Sequence, residues 1–99
     1  MNNDKLPPIH PGEILLEEFI QPMGISQNYL ARNMCVPRHK INAIIHGKQR
    51  VTGEIAIRLG LVFKMTPEFW LRIQMRYDLD TASDEIEELA INEVIPLIP

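Results

Sequence analysis

The segment from Ser26 to Lys48 constrains this chain more than any other. Leu30, Ala31 and Met34 recur at helical spacing, and so do Ile41, Ile44 and Ile45. Each set forms one apolar stripe, so each stretch reads as a short helix with a single buried side. Pro37 prevents one continuous helix. Ser26 suits the N-cap of the first helix, and Gly47 is a stop signal after the second. Two short helices that share a core across a tight turn must cross at a sharp angle. Ala31 is small enough to allow the approach, and Ile41 is placed to pack over it. The face opposite Ile41 and Ile44 then carries Arg38, His39, Asn42 and His46. This is the layout of a helix-turn-helix, whose second helix enters the DNA major groove.

The chemistry of that face suits base edges. Arginine donates two bonds to guanine, and asparagine pairs in bidentate fashion with adenine. Arg38, Asn42 and His46 follow at i, i+4 and i+8, with His39 beside them. Gln27, just inside the first helix, points its side chain and backbone N–H towards a phosphate. Lys40, Lys48 and Arg50 suit the sugar-phosphate chain. The competing reading is a solvated polar helix face, and charge segregation argues against it. The chain is acidic, with net charge −3. Residues 26–58, however, carry Arg32, Arg38, Lys40, Lys48, Arg50 and Arg58 against Glu54 alone, a net +5. Local potential, not net charge, attracts phosphate.

The remaining elements also read as helices. Pro11 fits a first helical position after His10, and Ile14, Leu15, Leu16 and Phe19 form a buried stripe that Pro22 and Gly24 end. Thr52 caps a fourth helix with Ile55, Leu59, Val62 and Phe63 inward. Gly60 lies inside it, where a close helix contact would explain its presence. Thr66, Pro67 and Glu68 open a fifth helix carrying Phe69, Trp70, Ile73 and Tyr77. These four are read as core or dimer interface. Phe69 and Trp70 point about 100° apart, so one is expected to face the core and the other a second subunit. A weaker, acidic helix is expected from Ser83 to about Ile91. Pro96 and Pro99 leave the apolar tail 92–99 as a short edge strand or an extended arm.

Several function classes are disfavoured. No apolar run approaches the roughly 20 residues that span a bilayer, and Met1 to Leu6 has no apolar signal core. Cys35 is the only cysteine. Cytoplasmic location is therefore expected. No catalytic constellation has any spacing logic, and no cofactor or metal is expected. His39 and His46, seven residues apart, are too far along one helix to share an ion. The turn at Cys35 commonly needs a left-handed backbone, which glycine adopts most easily.

Three blocks in order carry a family resemblance. They are His10-Pro11-Gly12-Glu13-Ile14-Leu15, then Ser26-Gln27 to Gly47-Lys48, then Thr66-Pro67-Glu68-Phe69-Trp70-Leu71 with Gln74 and Tyr77-Asp78-Leu79. The chain resembles the HigA antitoxins, a branch of the phage-repressor-like (XRE/Cro) helix-turn-helix proteins. Cys35 departs from the glycine usual at the turn. The resemblance implies an all-α, five-helix DNA-binding core and a homodimer on an inverted repeat of operator DNA. It also implies repression of the protein's own operon and inhibition of a HigB-like, mRNA-cleaving toxin. By position it puts DNA-facing roles on Gln27, Asn28, Arg38, His39, Asn42 and Lys48. The expected organisation is an N-terminal arm (1–9), the DNA-binding domain (10–80) and an acidic helix with apolar tail (81–99) for dimer or toxin contact. The alternatives are a stand-alone regulator without a toxin and a toxin-binding module with little DNA role.

Overall fold

The computed structural model describes residues 6–99. The arm expected over residues 1–9 lies outside them through residue 5. All regular structure among the described residues is helical, in five helices. Helix α1 covers 11–23 as three continuous stretches: Pro11–Ile14, a π-helical Leu15–Ile20, and Gln21–Met23. Then follow α2 (Gln27–Met34), α3 (Arg38–Ile45), α4 (Gly53–Phe63) and α5 (Pro67–Glu93).

The expected end of α1 at Pro22 is corrected by the structure: the proline lies inside the helix. A proline lacks the N–H and its ring collides with the carbonyl four residues back. The wider π register just before it, with Gln21 N–H bonded to Leu16 O, is the kind of local adjustment that admits one. Gly24, at φ +66°, then ends the helix.

The core is a single cluster. Leu15 and Ile20 of α1 meet Leu30, Ala31 and Met34 of α2, Ile41, Ile44 and Ile45 of α3, and Ile55 and Leu59 of α4, with Trp70 of α5. Ser26 and Thr52 cap their helices as expected, accepting from Tyr29 N and Ile55 N. Thr66 makes no side-chain capping bond; its carbonyl alone accepts from Phe69 N.

Three backbone positions set how closely the helices approach one another. A Cβ on Gly12 would lie 1.9 Å from Ile44 O, so the start of α1 presses directly on the end of α3. Cys35 takes the left-handed conformation at φ 58°, ψ 46°, and its N–H bonds the carbonyls closing α2. Gly60 allows the close approach expected of it, since a Cβ there would meet Met65 O at 2.6 Å.

The acidic segment expected to begin at Ser83 is not a separate element. It continues α5 without a break, because 67–93 contains no internal proline or glycine to interrupt it. A helix of 27 residues is about 40 Å long, so its distal half runs out beyond the core. After Glu93 the backbone turns extended and stays exposed, the arm-like alternative for the tail.

Candidate nucleic-acid interface

Burying Ile41, Ile44 and Ile45 turns the other side of α3 outward. Arg38, His39 and Asn42 stand exposed there and line one shallow depression. Asn42 Nδ2 donates to Gln27 Oε1 at 3.1 Å, which joins the first residue of α2 to the middle of α3. Asn28 is exposed beside Gln27, and Lys40 is half-buried. The expected surface residues of α2 and α3 are therefore brought together by the fold.

The end of α3 is more constrained. His46 is exposed, and its Nδ1–H donates to Asn42 O at 2.8 Å, closing the last turn of its own helix. Lys48 is exposed in the loop that leaves α3, with its backbone N–H on Ala43 O at 2.8 Å. Arg50 is turned away onto α5, where Nη2 lies 2.9 Å from Asp78 Oδ2. Arg58, counted in the basic segment, is also occupied: it pairs with Glu54 and caps the end of α2 by donating to Met34 O at 2.9 Å.

Two residues outside the basic segment shape this loop. Gln74 is 2% exposed; its Oε1 accepts from Val51 N at 2.7 Å, and its Nε2 donates to Asp78 Oδ1 at 2.9 Å. Neither was singled out as a site residue from the sequence. The available signal was a glutamine one helical turn after Trp70, on the core side of α5. A polar residue at a core position must find partners.

His10 completes the support. Its Nδ1 accepts from Gly12 N at 2.9 Å, and its ring packs edge-on against Tyr77, centroids 4.8 Å apart. Burial pushes the imidazole below its ordinary value, opposed by Glu13, Asp78 and a hydrogen bond to the Gln49 backbone. One histidine thus ties the start of α1 to the loop after α3 and to α5.

The aromatic residues of α5 divide their roles. Trp70 is 0% exposed and packs on Phe19, Phe63 and Phe69, so of the two neighbouring rings it is the one that faces the core. It faces the core because its helical phase matches that of Gln74. Phe69 is 36% exposed and, with Ile73, Ile9 and Ile14, lines an apolar groove between α1 and α5. Tyr77 is half-buried against His10. Further along α5, Met75, Leu79, Ile86 and Leu89 leave an exposed apolar stripe. No helix among the described residues is long and apolar enough to cross a membrane.

No family model matches the chain. Among curated proteins it is 42% identical over 89 residues to the antitoxin HigA-1 of Vibrio cholerae, covering 89% of this chain and 84% of that one. Among solved structures it superposes on Pseudomonas aeruginosa antitoxin HigA with the higBA promoter at TM-score 0.88 and 37% identity, over 92% of this chain and 99% of that one. It also superposes on antitoxin GraA in complex with its operator at TM-score 0.89 and 38% identity, over all of both chains. Likeness at this level over nearly the whole length, with the same all-helical fold, places the chain by descent and not by motif alone: it belongs to the HigA family of helix-turn-helix antitoxins.

Proposed function

We propose that this protein is a dimeric, sequence-specific repressor that binds its own operator and also neutralises a HigB-like, mRNA-cleaving toxin in the cytoplasm. The observation that carries the DNA half is the exposed face of α3, with Arg38, His39 and Asn42 side by side and Asn42 held by Gln27. Arg38 and Asn42 read base edges. Gln27, Asn28, Lys40 and Lys48 meet phosphate and sugar, and His39 and His46 flank them. The mechanism is steric occlusion of the promoter. Two recognition helices in successive major grooves require centres about 34 Å apart.

The distal half of α5 supplies the dimer contact in this reading. Met75, Leu79, Ala82, Ile86 and Leu89 alternate in steps of four and three, a spacing that suits helix-to-helix packing. Arg72 and Arg76 lie near one end of the stripe, and Glu85, Glu88 and Glu93 lie near the other. Antiparallel pairing with a second copy would bring these opposite charges together. Phe69, Ile73 and Tyr77 lie towards the start of the same helix. Residues 81–99 are the part of the chain proposed for dimer or toxin contact, and 10–80 the part proposed for DNA.

The test is fluorescence anisotropy with the duplex upstream of the gene and a scrambled duplex of equal length, at 50 and 200 mM salt. Tight, salt-sensitive, sequence-selective binding is expected. Arg38→Ala should cost roughly 1–3 kcal/mol and relax base choice at one position, whereas Lys48→Ala should weaken all sequences alike. Equal weak binding to both duplexes would refute the repressor half. The toxin half is tested by co-expression and co-purification with a HigB-like toxin.

A further inference from the structure

Asp78 lies on α5, outside the helix-turn-helix, yet one of its oxygens holds the loop that leaves the recognition helix and the other is fixed within α5. Oδ2 takes Arg50 Nη2 at 2.9 Å, and Oδ1 takes Gln74 Nε2 at 2.9 Å. The other end of Gln74 accepts from Val51 N at 2.7 Å. One buried amide therefore fixes both the carboxylate and the loop that carries its arginine. The ion pair itself stands at the surface, with side chains 59% and 40% exposed. Such pairs add only about 0–1 kcal/mol to stability. Stability is thus a weak reason for an acid aimed this way. Its position is informative: Arg50 lies two residues beyond Lys48, in the loop leaving the recognition helix. Among the described residues, Lys48 and Arg38 have no such acidic partner.

We propose that Asp78 is an internal counter-ion that holds Arg50 off the phosphate backbone and so sets the strength and salt sensitivity of DNA binding without altering base choice. This rests on the DNA-binding reading above. A phosphate contact adds the same affinity on every sequence and steepens the fall of affinity with salt. With Asp78 in place, Arg50 is neutralised before DNA arrives and contributes neither effect.

The test compares the full-length protein with Asp78→Asn, Asp78→Glu and Asp78→Asn/Arg50→Gln by anisotropy from 50 to 200 mM salt, on operator and scrambled duplexes. Asn keeps an oxygen for Gln74 Nε2, so the loop clamp survives. Asp78→Asn should tighten binding to both duplexes by the same factor. It should also steepen the log–log salt slope by about 0.9, an extra loss of about 3.5-fold over that fourfold rise in salt. Asp78→Glu, which retains the charge, should keep the wild-type slope. Adding Arg50→Gln to Asp78→Asn should restore the wild-type slope. An unchanged slope in Asp78→Asn overturns the inference. So does a steepening that persists in the double variant, because the acid alone would then be responsible. A wild-type protein that binds neither duplex removes the DNA-binding reading, and this inference with it.

Discussion

The Asn42 amide donates to Gln27 Oε1 at 3.1 Å across the turn between their helices. An asparagine amide has two N–H groups and one carbonyl oxygen. With one N–H spent on Gln27, the other N–H and Oδ1 remain for the two groups of an adenine edge. Gln27 therefore presets the orientation of the side chain proposed to read a base. Gln27→Ala should weaken operator binding by roughly 1–2 kcal/mol. It should also shrink the penalty for changing the base that Asn42 is proposed to read. Anisotropy on the operator and on single-base variants checks both effects. An unchanged penalty would mean that Gln27 serves only as a phosphate contact.

Cys35 holds a left-handed backbone, φ 58°, that costs a side-chain-bearing residue on the order of 1 kcal/mol. Cys35→Gly should recover most of that cost and raise Tm by about 4–8 °C. Its effect on DNA affinity should be small, since the turn already has the geometry glycine would adopt. A thermal melt in reducing buffer decides it, and a lower Tm would show that the thiol contributes packing that outweighs the strain.

His10 gives the fold a defined pH dependence. Burial lowers its imidazole below the ordinary 6.5, so the unfolded chain takes up a proton at a higher pH than the folded one. Its contribution to stability is therefore full above 6.5 and is lost as pH falls through 6.5 towards the lowered value. Protonation also removes the Nδ1 lone pair that caps Gly12 N. Urea melts between pH 7.5 and 5 should show falling stability, and His10→Asn, which can still cap a helix, should flatten that fall. Equal slopes for both proteins would exclude His10 as the source.

Phe69 and Trp70 are neighbours in sequence that differ in burial, 36% against 0% exposed. Trp70→Ala empties a fully buried site and should cost about 3–5 kcal/mol of stability. Phe69→Ala should cost less in stability and more in self-association. Leu79→Asp, on the exposed stripe, should leave the monomer fold intact and raise the dimer dissociation constant at least tenfold by sedimentation. A Leu79→Asp protein that stays dimeric at low micromolar concentration would move the interface elsewhere.

Much of the exposed face of α3 was legible in the sequence because helical phase is a local property. The apolar spacing of Ile41, Ile44 and Ile45 fixes which side of α3 is buried, and so leaves Arg38, His39 and Asn42 outside. Ser26 as a cap and Cys35 as a left-handed turn followed from the same short-range rules. Pro22 shows where those rules stop. A proline is a stop signal in isolation, but the π register before it keeps the helix going to Met23.

By itself, then, the sequence determined an all-helical chain, the two helices of the helix-turn-helix and the face they expose. Tertiary structure decided what depends on partners far along the chain. Arg50 meets an acid 28 residues away, and Val51 meets an amide 23 residues away. Trp70, not Phe69, is the ring that closes the core. Helix propensity and capping act within one or two turns. The fate of a surface charge or an aromatic ring depends instead on which helix packs beside it, and only the folded arrangement of α1, α3 and α5 supplies that neighbour.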